Sequence, residues 1–214
     1  MEVKKAYSYA DIEKINFKTI KVSEKFQKHW GQVERSGSIL LYGSSGHGKT
    51  TYAMQVMKDI CAFQKVHYNS AEEGIRMSFK RSLKLNNMKS VRSKFTFSKE
   101  KYDDMVLRLR KKRQPKVVIV DSVQYCFKGK RDTDYYNLIE EFDTTLFIFL
   151  SHMAKGEPKG SIADAIRWDC QNRILIKDFK AYIEKSRCGA DETEPYIINK
   201  EKAAERELKL LKHG

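Results

Sequence analysis

Proline is scarce in this chain, with 3 among 214 residues, and cysteine is nearly so, with 4. Cys61, Cys126, Cys170 and Cys188 stand too far apart for a C-x-x-C pair, which excludes a zinc knuckle and a thioredoxin-type redox motif. They read as reduced thiols of a cytoplasmic protein. No run approaches the roughly 18 apolar residues of a membrane span, and the N-terminus lacks the apolar centre of a signal peptide, so no membrane association is expected. Internal repeats and low-complexity tracts are absent. Acidic residues are in deficit, since 28 Asp and Glu against 42 Lys and Arg leave a net charge of +14. That excess points to a polyanionic partner, and nucleic acid is favoured because no lipidation motif or amphipathic basic anchor stands out. With 41% hydrophobic and 33% charged residues, the chain has enough apolar material for the core of one domain.

What is present begins with "LLYGSSGHGKTTYAMQ". Leu40, Leu41 and Tyr42 continue an apolar run that reads as a buried strand. Gly43 to Thr50 fit G-x-x-x-x-G-K-[ST], and Ala53, Val56, Met57 and Ile60 then recur at helical spacing. Strand, glycine-rich loop and helix in that order form a phosphate cradle. Backbone amides of a curled loop face phosphate oxygens, with the positive end of a helix behind them. The residues expected to hold ATP are Gly43, Ser44, Ser45, Gly46, His47, Gly48, Lys49, Thr50 and Thr51. Lys49 is placed to reach the β and γ phosphates, and Thr50 to hold Mg²⁺.

From Ser38 onward, apolar runs alternate with amphipathic ones, and the runs are apolar throughout rather than every second residue. This predicts an α/β fold with a mainly parallel central sheet, helices on both faces, and an antiparallel edge near the C-terminus. The edge comes from "NRILIK", "KAYIEKS" and "PYIINK", whose short connections suit hairpins. A helix capped by Ser161, with Asp164 three residues on, precedes them. Residues 1–36, polar and lysine-rich with scattered anchors such as Ile12, Ile15, Phe17, Phe26 and Trp30, read as an appended segment. The core domain runs over 37–200. A tail over 201–214 places Ala204, Leu208 and Leu211 on one helical stripe, to dock on the core or on a neighbouring subunit.

Two acidic positions extend the phosphate site. "KVVIVDSVQ" ends a buried strand in Asp121, where a carboxylate can hold Mg²⁺ and its water shell. "KVHYNSAEEG" puts Glu72 and Glu73 at the same edge of the sheet, where open α/β sheets bind ligands and where one could polarise water as a general base.

With "FIFLSHMAKGE" and "EKSRCG" following in order, the chain resembles the RecA superfamily core, closest to the bacterial RadA recombination ATPases and their KaiC-like relatives, over roughly residues 36–200. The resemblance implies an ATP hydrolase. Glu72 matches the catalytic glutamate, Arg76 and Arg81 match basic positions on the next helix, and Asp121, Ser122 and Gln124 match the Walker B signature. His152 and Lys155 match the loop that senses the γ-phosphate and reaches toward DNA. Lys185 and Arg187, with Gly189, match a motif that acts like an arginine finger on a neighbouring subunit's ATP, although Ser186 and Cys188 replace the Asn and Phe of that motif. The zinc module and protease-like domain that accompany the RadA core have no counterpart in these residues.

The function implied is a single-stranded-DNA-dependent ATPase of recombination, repair or replication. It would assemble as a hexameric ring or filament, with a replication or recombination protein as a possible partner. A DnaB-like translocase of a phage or mobile element and a KaiC-like regulatory ATPase without DNA are the alternatives. DNA contacts are expected from Lys128, Lys130 and Arg131 in a loop over 127–134, and from Lys155 and Lys159 in "HMAKGEPKGS". The basic run from Arg108 to Arg113 reads instead as a solvated helix end complementing the helix dipole.

Overall fold

The computed structural model describes residues 6–190 and 193–213. Helices α1 (Tyr9–Glu13) and α2 (Glu24–Trp30) precede strand β1 (Ser38–Gly43). There follow α3 (Lys49–Ile60), β2 (Val66–Ser70), α4 (Met77–Leu85), a 3-10 turn (Met88–Val91), β3 (Phe95–Ser98) and α5 (Tyr102–Leu109). Next come β4 (Val117–Asp121), α6 (Val123–Cys126), α7 (Asp132–Glu141), β5 (Leu146–Ala154), β6 (Glu157–Pro158) and α8 (Ser161–Asp169). The last elements are β7 (Asn172–Lys177), β8 (Lys180–Ser186), β9 (Tyr196–Ile197) and α9 (Lys200–His213).

The strands form one sheet in the order β3-β2-β4-β5-β1-β7-β8-β9, with β6 folded back on β5. From β3 to β7 neighbours are parallel, and β8 and β9 add an antiparallel edge. Both faces are covered, which explains strands that are apolar at every position. On one face Ile39, Leu41, Ile119, Ile148 and Leu150 pack against α3. On the other, Leu40, Tyr42, Val118, Val120, Phe147 and Phe149 meet α5, α7 and α8. The periodic residues of α3, Ala53, Val56, Met57 and Ile60, are all buried.

Residues 1–36 divide in two; residues 1–5 of them lie outside the described residues. Ile12, Ile15 and Phe17 are exposed, whereas Ile20, Phe26, Trp30 and Val33 belong to the core. Trp30 donates its indole N–H to the Tyr52 hydroxyl of α3 at 2.8 Å. Gln32 donates its amide to the Cys188 carbonyl at 2.8 Å, tying this stretch to the end of β8. A Cβ on Gly31 would stand 2.0 Å from that same carbonyl, so glycine is required by close approach as well as by its φ of +70°.

Three local expectations are corrected. Gly160, not Ser161, is the N-cap of α8, and Ser161 is its first residue. "PYIINK" contributes only two strand residues, because Lys200 already opens α9. The stripe of α9 does not dock on the chain's own core, since Leu208 and Leu211 are exposed. Among the described residues of α9, Ala203 near the helix start is buried, and Glu207 one turn on pairs with Lys180 of β8. Among the described residues no helix is long and apolar enough to cross a membrane.

Candidate functional site

Strand β1 sits between β5 and β7, and the crevice outside the C-terminal ends of β1, β2, β4 and β5 is a cavity of about 610 Å³. Ser45, Gly46, Gly48, Lys49, Thr50 and Thr51 line it from the loop after β1, Glu72 and Glu73 from the end of β2, Asp121 from β4, and His152 from β5. Gly48 caps α3 with φ +102°, a backbone region that favours glycine, and so turns the loop amides toward the cavity.

The remaining loop residues serve the loop itself. Gly43 and Ser44 accept hydrogen bonds from the Lys49 ammonium at 2.7 and 2.9 Å through their carbonyls. His47 is held by the β7–β8 turn. Its Nδ1 accepts from the Asp178 amide at 3.0 Å, and its carbonyl accepts from the Phe179 amide at 3.1 Å.

Burial pulls the Lys49 pKa below its ordinary value, and the carboxylates of Asp121 and Glu72 counter that pull. Asp121 is half-buried, and the loss of water around its inward-turned carboxyl pushes its pKa up to about 6. The Tyr68 hydroxyl donates to its Oδ2 at 2.6 Å and works in the opposite direction, while the nearby Glu72 adds to the rise. The Asp121 carboxylate, facing the crevice beside Lys49, is a ligand that a cation could use.

Glu72 is the better-placed of the two adjacent glutamates. Its Oε2 accepts from Ser122 Oγ at 3.0 Å and lies 2.8 Å from His152 Nε2. Glu73 instead accepts from Ser78 Oγ on α4. His152 is positioned in turn by Gln124, whose Oε1 accepts the His152 amide at 3.1 Å. The Gln124 side-chain amide also donates to Ser151 Oγ at 2.8 Å and to the Lys159 carbonyl at 2.6 Å. This chain joins the ends of β2, β4 and β5, so displacement of Glu72 would be felt by the β5–β6 hairpin.

Lys185 and Arg187 do not join this site. Ser186 pairs with Asn172, which pairs with Ile39 at the start of β1, so both cations sit at the opposite end of the sheet. Arg187 there donates to the Trp168 carbonyl at 2.8 Å.

The two expected DNA loops are smaller and more ordered than the sequence suggests. Phe127 is buried and Asp132 already lies in α7, which leaves only Lys128 to Arg131 between helices. Lys130 is engaged by Asp103 at 2.6 Å, while Lys128 and Arg131 are exposed. β5 continues to Ala154 and turns at Lys155 and Gly156 into β6, so Lys155 is at a hairpin tip and Lys159 just beyond it, both exposed.

Arg76, expected as a basic position on the next helix, also lines the cavity, whereas Phe179, Lys202 and Tyr125 line it without having been singled out in the sequence. The Lys202 ammonium lies 5.1 Å above the Phe179 ring. The signal for Phe179 was the two-residue turn "DF" between β7 and β8, whose register with β1 brings it level with the glycine-rich loop.

No protein-family model matches the sequence, and no curated protein matches it. Solved structures do match. The flagellar accessory protein FlaH of Methanocaldococcus jannaschii superposes with a TM-score of 0.63 at 16% identity, covering 85% of this chain and 97% of that one. A KaiC-like protein of Pyrococcus horikoshii superposes with a TM-score of 0.64, also at 16% identity, covering 85% of this chain and 94% of that one. At this identity the likeness concerns the fold.

Proposed function

We propose that the protein is an ATP hydrolase of the RecA-like type, whose turnover depends on single-stranded DNA and on a neighbouring copy of the chain. The observation that carries the reading is the Glu72 carboxylate, held between Ser122 and His152 at the cavity that Lys49, Thr50 and Asp121 also line. This is the arrangement a water-activating base needs, because the base must be fixed within hydrogen-bond reach of water at the terminal phosphate.

The residues fit ATP with Mg²⁺. Gly46 takes a φ of +77° and borders open space in the cavity, where an added Cβ would meet nothing within 4 Å. Among the described residues no cluster of three or more His, Cys, Asp or Glu could hold a metal alone, so Thr50 and Asp121 would hold Mg²⁺ together with phosphate oxygens. When bound, Mg²⁺ supplies neutralisation of the phosphate charge. Lys49 would exchange its two carbonyl acceptors for phosphate oxygens and stabilise the charge that develops on them. Glu72 would take the proton of the attacking water, and His152 would carry the change at Glu72 into the β5–β6 hairpin.

Lys185 and Arg187, remote from the cavity of their own chain, are assigned to a neighbour's ATP in a ring or filament. The net charge of +14 favours DNA as the regulating partner over a purely protein-regulated KaiC-like role. The test is the ATPase rate of the full chain with and without single-stranded DNA, alongside Lys49→Ala. Hydrolysis that is stimulated by DNA and absent in the variant is expected. Hydrolysis indifferent to DNA sinks the DNA-dependent reading, and hydrolysis that survives Lys49→Ala sinks the site.

A further inference from the structure

Between Arg76 and Lys99 the chain carries eight Lys and Arg and no Asp or Glu, so 24 residues hold more than half of the net charge of +14. This stretch folds as α4, the 3-10 turn and the edge strand β3. Its apolar residues Phe79, Leu83, Met88 and Val91 pack on the core. The cations Lys80, Arg81, Lys84, Lys89, Arg92 and Lys94 are all exposed. None of them has an ion-pair partner among the described residues, in contrast to Arg108, Arg110 and Lys130, which pair with Glu100, Glu141 and Asp103.

On α4, Arg76, Lys80 and Lys84 follow at i, i+4 and i+8, a row of like charges about 6 Å apart along the helix. Like charges at this spacing repel one another, and no carboxylate on α4 offsets them. The row begins at the cavity, which Arg76 lines, and descends toward the other end of the sheet, where the 3-10 turn and Lys94 extend it.

We propose that this face of α4, the 3-10 turn and β3 is the main surface for the backbone of single-stranded DNA. The inference rests on the DNA-dependent reading above and moves the strand from the loops around Lys128 and Lys155 to the outside of α4. Regularly spaced, unpaired cations neutralise successive phosphates without reading bases. A membrane fits poorly, because the exposed apolar residues of α4, Met77 and Leu85, lie two turns apart and form no continuous face. A second copy fits poorly too, since it carries the same net positive charge.

The experiment is fluorescence anisotropy of a labelled oligothymidylate titrated with the full chain over a range of salt concentrations. The proteins compared are the wild type, the triple variant Lys80→Ala/Arg81→Ala/Lys84→Ala, its charge-reversed Glu counterpart, and Lys155→Ala/Lys159→Ala. The Ala triple variant should bind about tenfold more weakly and lose about 2 from the log–log salt slope, at about 0.7 per phosphate contact on single strands. The Glu variant should bind more weakly still. ATPase activity without DNA and the thermal melt of the Ala variant should match the wild type, because the cavity and core are untouched. A triple variant that binds as the wild type does, with the loop variant impaired instead, overturns the α4 surface and leaves the DNA-dependent reading standing. A wild type that fails to bind the oligonucleotide even at low salt overturns both.

Discussion

At the C-terminal ends of β1, β2, β4 and β5, polar and charged groups converge within hydrogen-bond distance: Lys49 on the loop carbonyls, Tyr68 on Asp121, Ser122 and His152 on Glu72. At the other end, beside the start of β1, Lys185 lies near the end of β8 and Arg187 just past it, and Arg187 helps line a separate hollow with Asp143, Asp169 and Gln171. The six residues of β1 put about 20 Å between the two ends. No side chain bridges that distance. On the proposed reading, the phosphate loop and its carboxylates lie at one end and the candidate finger at the other, so the site would be completed only by a neighbouring chain.

The sharpest way to break this comparison is Arg187→Ala. A finger working on a neighbour's phosphate should cost about 10³ to 10⁵ in turnover, with nucleotide affinity little changed by fluorescent-nucleotide titration. An arginine that only guards an edge strand would leave turnover near the wild-type value. Next comes the base, for which Glu72→Gln should reduce single-turnover hydrolysis by about 10² to 10⁴. Glu73→Gln, whose carboxylate is turned toward Ser78, should reduce it far less, and a reversed order would assign the base to Glu73.

A control that touches neither end is His67, buried in β2 between Thr96 Oγ1 and Ser98 Oγ at 2.9 Å each. Burial lowers its pKa to about 4, assisted by Arg108 and opposed by Glu100. A depressed histidine pKa means that the unfolded chain takes up a proton first. The contribution is therefore present above about pH 6.5 and is lost as pH falls toward 4, on the order of 3 kcal/mol. Urea melts at several pH values should show this acid slope in the wild type and a shallower one in His67→Gln. The smallest effect is expected from Tyr68→Phe, which removes one hydrogen bond to Asp121 and should destabilise the fold by about 1 kcal/mol in a thermal melt.

The half of this comparison nearest in sequence was also the most legible. Gly43 to Thr50, the α3 spacing and the apolar strands are local patterns, and "KAYIEKS" coincides with β8, set off from β7 by a two-residue turn. Glu72 and Asp121 could be placed at the sheet edge because Asp121 closes one buried strand and Glu72 follows another by two residues. Phe179 and Lys202 were not, since they reach the cavity only through the register of β7 with β1 and the placement of α9. Trp30 and Phe26 lie among lysines in the sequence, and only tertiary packing shows that they fill the core beside Tyr52. The α4 cations were visible as composition, but their lack of carboxylate partners is a property of the fold.

The most direct test of a divided site is a mixing measurement. Arg187→Ala keeps the cradle and loses the finger, while Lys49→Ala loses the cradle lysine and keeps the finger. Each alone should be inactive. Mixed, and shown by differential labelling to assemble together, they should regain hydrolysis, because the intact cradle of the first then faces the intact Arg187 of the second. Mixtures that co-assemble and remain as inactive as either variant alone would contradict the account.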